Sequence, residues 1–422
     1  MKSSAKIFLS IIVVLIWLSA CEKQTEEDIP ATNTAAPGIF SKYIAVGGSL
    51  SAGYTNGGLY RSGQLTSYPN LIAQQAIIKF DQALFSVAQE NGTGFWTTST
   101  NNITTVFDKI IDKSGIITTN PLVFAKYTGA INDYGIADLR MSDMGKMGLG
   151  NAKKQGFNPY FERILPAEKE DYSYPDFIKE SNATFFTVSL GEHDMLDFAI
   201  SGGQKSLTET SVFAINCQKL LDALVGNKAQ GIITNLPNIL DLPYFNFYTF
   251  AELAQKQGVS GIYITTGNGI VRLATINDKI LMNAIINVGK NNAGQKKGLT
   301  MAYPLSNEEV LDKDEISIIA SRLSDFNGVL KFEAEKRALT LFDLNNLYAQ
   351  INNKTYSENG VKFDKSMMTG NFYSLDGINP TPRGSAVIAN AIIKIINEKY
   401  KNSLKTMIPT LDVSKFEGLK IK

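Results

Sequence analysis

The chain has 422 residues, 44% of them hydrophobic and 19% charged, which is enough for one large α/β domain with insertions or for two domains. Its net charge of +1 falls by two to about −1 if the segment holding Lys2 and Lys6 is removed, so no basic surplus points to nucleic acid. Two cysteines, Cys21 and Cys217, and one histidine, His193, argue against a disulfide framework or a structural zinc site, and no cofactor is implied.

The first 20 residues have a basic start, an apolar run over residues 7–18, and then Ser19-Ala20. The run is shorter than the roughly 18–20 residues of a membrane-spanning helix and fits a secretory signal. Leu18-Ser19-Ala20-Cys21 resembles a bacterial lipobox, in which the cysteine is acylated and becomes the new N-terminus. Acyl chains on Cys21 would hold the protein on a membrane surface without a span. Residues 21–39 are acidic at Glu22, Glu26, Glu27 and Asp28, then rich in Pro, Thr, Asn and Ala, and are expected to be a flexible tether. Acidic residues behind such a cysteine resemble an export signal to the cell surface. The expected location is therefore the outer membrane, lipid-anchored and exposed at the cell surface.

The folded part opens with Tyr43-Ile44-Ala45-Val46, a buried strand, followed by Gly47-Gly48-Ser49 and small residues leading into a helix. A serine at such a turn sits at the C-terminal edge of a parallel sheet, where open α/β sheets place their functional groups. Residues 68–78 read as a helix with Pro69 near its start, and residues 91–101, rich in Gly, Thr and Asn, as a loop. A strand-to-loop transition is expected within residues 131–141. Residues 183–190 form a central strand ending in Gly191-Glu192-His193-Asp194. Residues 208–224 are helical, with Val212, Ile215, Leu220, Leu221 and Leu224 as the apolar set and Cys217 in the core. Residues 231–237 and 338–343 are further strands, and residues 316–336 and 384–398 further helices. The aromatic stretch 244–250 is expected to be mainly core. Alternating strands and helices imply a parallel sheet with helices on both faces. The expected division is a folded domain over 40–400 with an insertion at about 238–305, and a C-terminal extension over 401–422.

Three strand ends carry a family resemblance. Gly47-Gly48-Ser49-Leu50-Ser51 resembles the first block of the GDSL (SGNH) hydrolases. Gly191-Glu192-His193-Asp194 resembles their third block, and Asp376-Gly377-Ile378-Asn379-Pro380-Thr381-Pro382-Arg383-Gly384 their last. The resemblance implies a flavodoxin-like, three-layer α/β/α sandwich with a parallel central sheet and insertions. It also implies that Ser49 matches the nucleophile and Asp376 the acid that orients the base. Where the family has its catalytic histidine this chain has Asn379, and where it has the oxyanion asparagine this chain has His193. The block-one aspartate is Gly48, and the block-two glycine falls on Asp138.

An amide has no useful basicity, so Asn379 cannot deprotonate a serine. The expectation is therefore a surface lipoprotein on a hydrolase scaffold that has lost its catalytic set. Such a protein would bind an acyl-ester or glycan-like ligand, or serve an outer-membrane protein partner, through Gly48, Gly191, Asp194 and Asn379. The alternative is a divergent ester hydrolase with Ser49 as nucleophile and His193 as base, the imidazole being oriented by Asp194 or Asp376.

Overall fold

The computed structural model describes residues 39–101, 104–110, 115–226 and 228–419. The expected signal segment, Cys21 and most of the tether lie outside these residues.

Five short strands make the central sheet: β1 (Tyr43–Gly47), β2 (Asp133–Gly135), β3 (Phe185–Ser189), β4 (Gln230–Thr234) and β5 (Thr340–Phe342). They pair in the order β5-β4-β3-β1-β2, and every pairing is parallel. Read from the other edge the order is 2-1-3-4-5, the flavodoxin-like winding. All five residues of β1 and of β3 are buried. A strand covered by helices on both faces needs a mainly apolar run rather than an alternating one; β1 supplies it without a break, and β3 with Thr187 and Ser189 as its buried polar members. Tyr43 stands beside Phe185, and Val46 beside Val188.

The α-helices include α1 (Ser49–Ala52), α2 (Tyr68–Ala76), α3 (Tyr174–Lys179), α4 (His193–Ile200), α5 (Thr210–Val225), α6 (Lys313–Lys336), α7 (Leu344–Asn352) and α8 (Pro382–Lys399), and three further ones lie among the described residues besides. α2 packs on α8, and α5 packs between α3 and α6. Together with the sheet these two groups make a three-layer α/β/α sandwich. The longest helix, α6, is started by a reciprocal cap in which Asp312 accepts from the Glu315 N–H and Glu315 from the Asp312 N–H. In α8, Pro382 occupies the first turn and Thr381 caps the Gly384 N–H. No helix among the described residues is long and apolar enough to cross a membrane.

Several local expectations are corrected. α2 stops at Ala76, where Ile77 takes a left-handed φ of 52° and closes the helix. Residues 95–101 form a strand paired with Thr104–Ile110, not a loop. In α5 the buried stripe runs through Phe213, Cys217, Leu220, Leu221 and Leu224, while Val212 and Ile215 face outward at 41% and 56% exposure. A helix buries one face, and the Phe213–Cys217–Leu220 spacing defines it. In the aromatic stretch Phe245 and Phe250 are buried, whereas Tyr244, Phe247 and Tyr248 are half-buried. Residues 401–419 are packed onto the domain: Ile408, Leu411 and Val413 are buried, and Asn390 of α8 bonds both the N–H and the carbonyl of Leu411.

Two glycines permit close backbone contacts at the sheet edge, Gly47 against β3 and Gly135 against α1. A Cβ on Gly47 would lie 2.2 Å from the Ser189 carbonyl oxygen, and one on Gly135 would lie 2.3 Å from the Ala52 nitrogen. Both obstacles are backbone and cannot swing aside. Gly135→Ala is therefore expected to lower the unfolding free energy by roughly 1–3 kcal/mol through overpacking. A fall in the urea midpoint at unchanged slope is the expected reading.

Candidate active site

The strand order reverses between β1 and β3, because the chain runs from β1 out to β2 and returns to β3 on the other side. Groups that leave the C-terminal ends of these strands face one crevice. Ser49 is the first residue of α1 after β1, and His193 the first residue of α4 after β3. The Gly48 N–H donates to the Ser189 carbonyl at 3.0 Å and ties the two strand ends together.

Ser49 Oγ lies 3.2 Å from His193 Nε2, and His193 Nδ1 lies 3.2 Å from Asp197 Oδ1. Serine, imidazole and carboxylate thus form one hydrogen-bonded chain. His193 and Asp197 stand one turn apart on α4, so a single helix sets their spacing. Asp197 is itself approached by Arg140 at 3.8 Å and Lys205 at 4.0 Å.

The electrostatics favour a protonated imidazole. Burial by itself would lower the His193 pKa, but the hydrogen bond to Asp197 and the charges of Asp138, Asp197 and Glu192 outweigh it and raise the value to about 8. Burial pushes the Asp197 carboxyl upward, yet the hydrogen bond and charge of His193, with Lys205 and Arg140, bring it below its ordinary value. Glu192 lines the same cleft, and burial raises its pKa.

Asp138 follows β2 and supplies the third approach to Ser49. Its N–H donates to Ser49 Oγ at 3.2 Å, and its Oδ1 lies 3.7 Å from His193 Nε2. It holds a left-handed φ of 61°, which glycine adopts freely and which aspartate tolerates better than most residues. The Ser49 N–H, at the first position of a helix, has no intrahelical acceptor. The shallow, open cleft beside these groups is walled by Leu139, Leu190, Leu236, Pro237 and Tyr348.

Of the residues singled out in sequence, Ser49 and His193 are brought together, and Gly48 and Gly191 line their cleft. Asp376 does not reach the imidazole. Its carboxylate accepts from the N–H groups of Gly57, Ile378 and Asn379 and from the Asn379 side chain at 3.1 Å. Asp194 does not reach it either, because one carboxylate oxygen accepts from Met141 N and the other from Ser142 N and Thr208 Oγ1. Asn379 is buried against Asp376 and is not among the residues lining the cleft. The residue missing from the sequence reading is Asp197. Its signal was present as the i, i+4 spacing of a histidine and an aspartate at a helix start, in His193-Asp194-Met195-Leu196-Asp197.

No group of three or more metal-ligating side chains suited to an ion occurs among the described residues. No family model matches the sequence, and no curated protein matches it. Among solved structures, the chain is similar to an extracellular lipase from Streptomyces rimosus at 12% identity. The similarity covers 85% of this chain and 98% of that one, with a TM-score of 0.31.

Proposed function

We propose that this protein is a serine ester hydrolase in which Ser49 is the nucleophile, His193 the general base and Asp197 the residue that orients the imidazole. The observation that carries the reading is the continuous Ser49–His193–Asp197 hydrogen-bonded chain. Neutral His193 accepts the hydroxyl proton through Nε2 as Ser49 Oγ attacks the ester carbonyl. Asp197 holds Nδ1–H and stabilises the imidazolium that forms. The tetrahedral oxyanion is stabilised by backbone N–H groups at the crevice, with the Asp138 N–H as the donor already aimed at Oγ. The imidazolium then returns its proton to the leaving alcohol, and water releases the acyl group by the same route.

On this reading the resemblance to the SGNH hydrolases holds for the nucleophile, while the base has moved from the last block to the third. The lipobox-like Cys21 supports attachment of the mature chain to a membrane surface, and the acidic residues behind it support a place on the outer membrane. A second reading, a scaffold that binds an ester-like or glycan-like ligand or a membrane-protein partner without turnover, is favoured by the Asp138 carboxylate. A negative charge 3.7 Å from Nε2 opposes oxyanion formation nearby.

A fluorophosphonate probe separates the two readings. Stoichiometric labelling that disappears in Ser49→Ala, with faster labelling above pH 8 than below it, is the outcome expected of the hydrolase. A folded chain that takes up no label would return the protein to the binding reading.

A further inference from the structure

We propose that the exposed Asp138 side chain beside His193 is a specificity-determining group, and that the site prefers esters whose alcohol carries an ammonium group close to the ester oxygen. The proposal rests on the hydrolase reading and concerns which ester that site takes.

Position comes first. In hydrolysis His193 Nε2 returns a proton to the leaving oxygen, so that oxygen must come within hydrogen-bond reach of Nε2. Asp138 Oδ1 is 3.7 Å from the same atom, which keeps the carboxylate within reach of a group carried close to the leaving oxygen. Its side chain is 57% exposed, so an incoming molecule can touch it. Among the described residues His193 is the one cationic side chain within 4.0 Å of it, since Arg140 and Lys205 are engaged by Asp197.

Surroundings come second. Among the residues that line the neighbouring cleft His193 is the one that can carry a positive charge, and Glu192 adds a further carboxyl group, so nothing there favours an anionic ester.

Backbone cost is the third. A non-glycine residue at φ 61° is strained, and glycine would make the same N–H available at lower cost. Keeping a carboxylate at this position works against the oxyanion of a neutral ester. A cationic leaving group offsets that repulsion, because it neutralises the carboxylate while the transition state forms.

The test separates recognition from turnover. Binding of acetylcholine and of its uncharged isostere, 3,3-dimethylbutyl acetate, is measured by titration calorimetry on the full chain carrying Ser49→Ala. The cationic ester is expected to bind about tenfold more tightly at low salt, the gap narrowing as salt is added. Adding Asp138→Asn to that chain is expected to bring the two affinities together. Equal affinities before that change, no binding of the cation, or a gap that survives it, overturns the proposal. The hydrolase reading is judged separately, by release of thiocholine from acetylthiocholine in the chain with Ser49 intact. There Asp138→Asn is expected to lower the preference for the cationic thioester over S-(3,3-dimethylbutyl) thioacetate and to move the pH–rate limb downward. Asp197, Asp138 and Glu192 are the anionic groups that face His193, and Asp138→Asn removes only one of them.

Discussion

Replacing His193 by alanine is expected to cut ester turnover by roughly 10³–10⁴-fold, while Asn379→Ala leaves it essentially unchanged. The contrast follows from where each side chain points. His193 Nε2 is the basic atom in contact with Ser49 Oγ, and no second histidine exists in the chain to replace it. Asn379 spends its side chain on Asp376, away from the cleft lining. Steady-state assays on a p-nitrophenyl ester would measure both, with circular dichroism to show that each variant is folded. A large loss in Asn379→Ala with little loss in His193→Ala would transfer the catalytic role to the last loop and sink the present assignment.

Asp197→Asn is expected to lower kcat/KM by roughly 10²–10⁴-fold and to change its pH dependence. In the parent, His193 must be neutral to act as base, so the rate should climb as pH rises through about 8 and level above it. Removing the Asp197 charge takes away the main influence raising that value, so the limb should move to lower pH even as the maximum falls. An amide can also present an N–H to Nδ1, which stabilises the tautomer whose Nε2 already bears a proton. A purely structural defect would reduce the rate without moving the limb. The same pair ties stability to pH. The folded pKa of His193 is raised, so its contribution is complete below the unfolded value of about 6.5 and is lost as pH passes about 8. The folded pKa of Asp197 is lowered, so its contribution is present above the unfolded value of about 3.9 and is lost as pH falls through the depressed one. Between those limits the pair supports the fold at full strength, and Asp197→Asn should flatten the pH dependence of the unfolding midpoint at the two edges, from about 6.5 to 8 and below about 3.9.

The parts of the fold legible in the sequence were those where one physical requirement dominates. β1 and β3 are fully buried, β4 is buried beyond its first residue, and each reads as a short, largely apolar run. The glycine turn into Ser49 was visible because two adjacent glycines follow such a run. The hairpin of Phe95–Asn101 with Thr104–Ile110 was missed because Thr, Ser and Asn occupy most of its first strand, and no apolar face betrays it. In α5, Val212 and Ile215 were grouped with the leucines by helical spacing, yet the packed face belongs to Phe213 and Cys217. At the candidate site Ser49 and His193 were both identifiable, but the acid partner of His193 was sought in Asp194 and in Asp376 of the last block. With Asn379 in place of histidine there is no imidazole at that loop, and Asp376 instead gathers the N–H groups around it. The acid that does meet His193 lies one helical turn along the same helix, a local relation that block matching passes over.

Asp194 has a consequence for how the site can move. Its two carboxylate oxygens hold Met141 N, Ser142 N and Thr208, so the segment that carries Asp138 and the helix that carries His193 are stapled to one another. Among the described residues the groups that hydrogen-bond Ser49 come from residues 47–197, and the last loop enters as a brace, Asp376 gripping Gly57. On the proposed reading the hydrogen-bonded apparatus lies within the amino-terminal half of the folded chain, while Leu236, Pro237 and Tyr348 of the later half wall its cleft. The insertion and the loop around Asn379 are released from chemical duty, free to drift in sequence or to be reshaped for new neighbours while the chemistry stays in register.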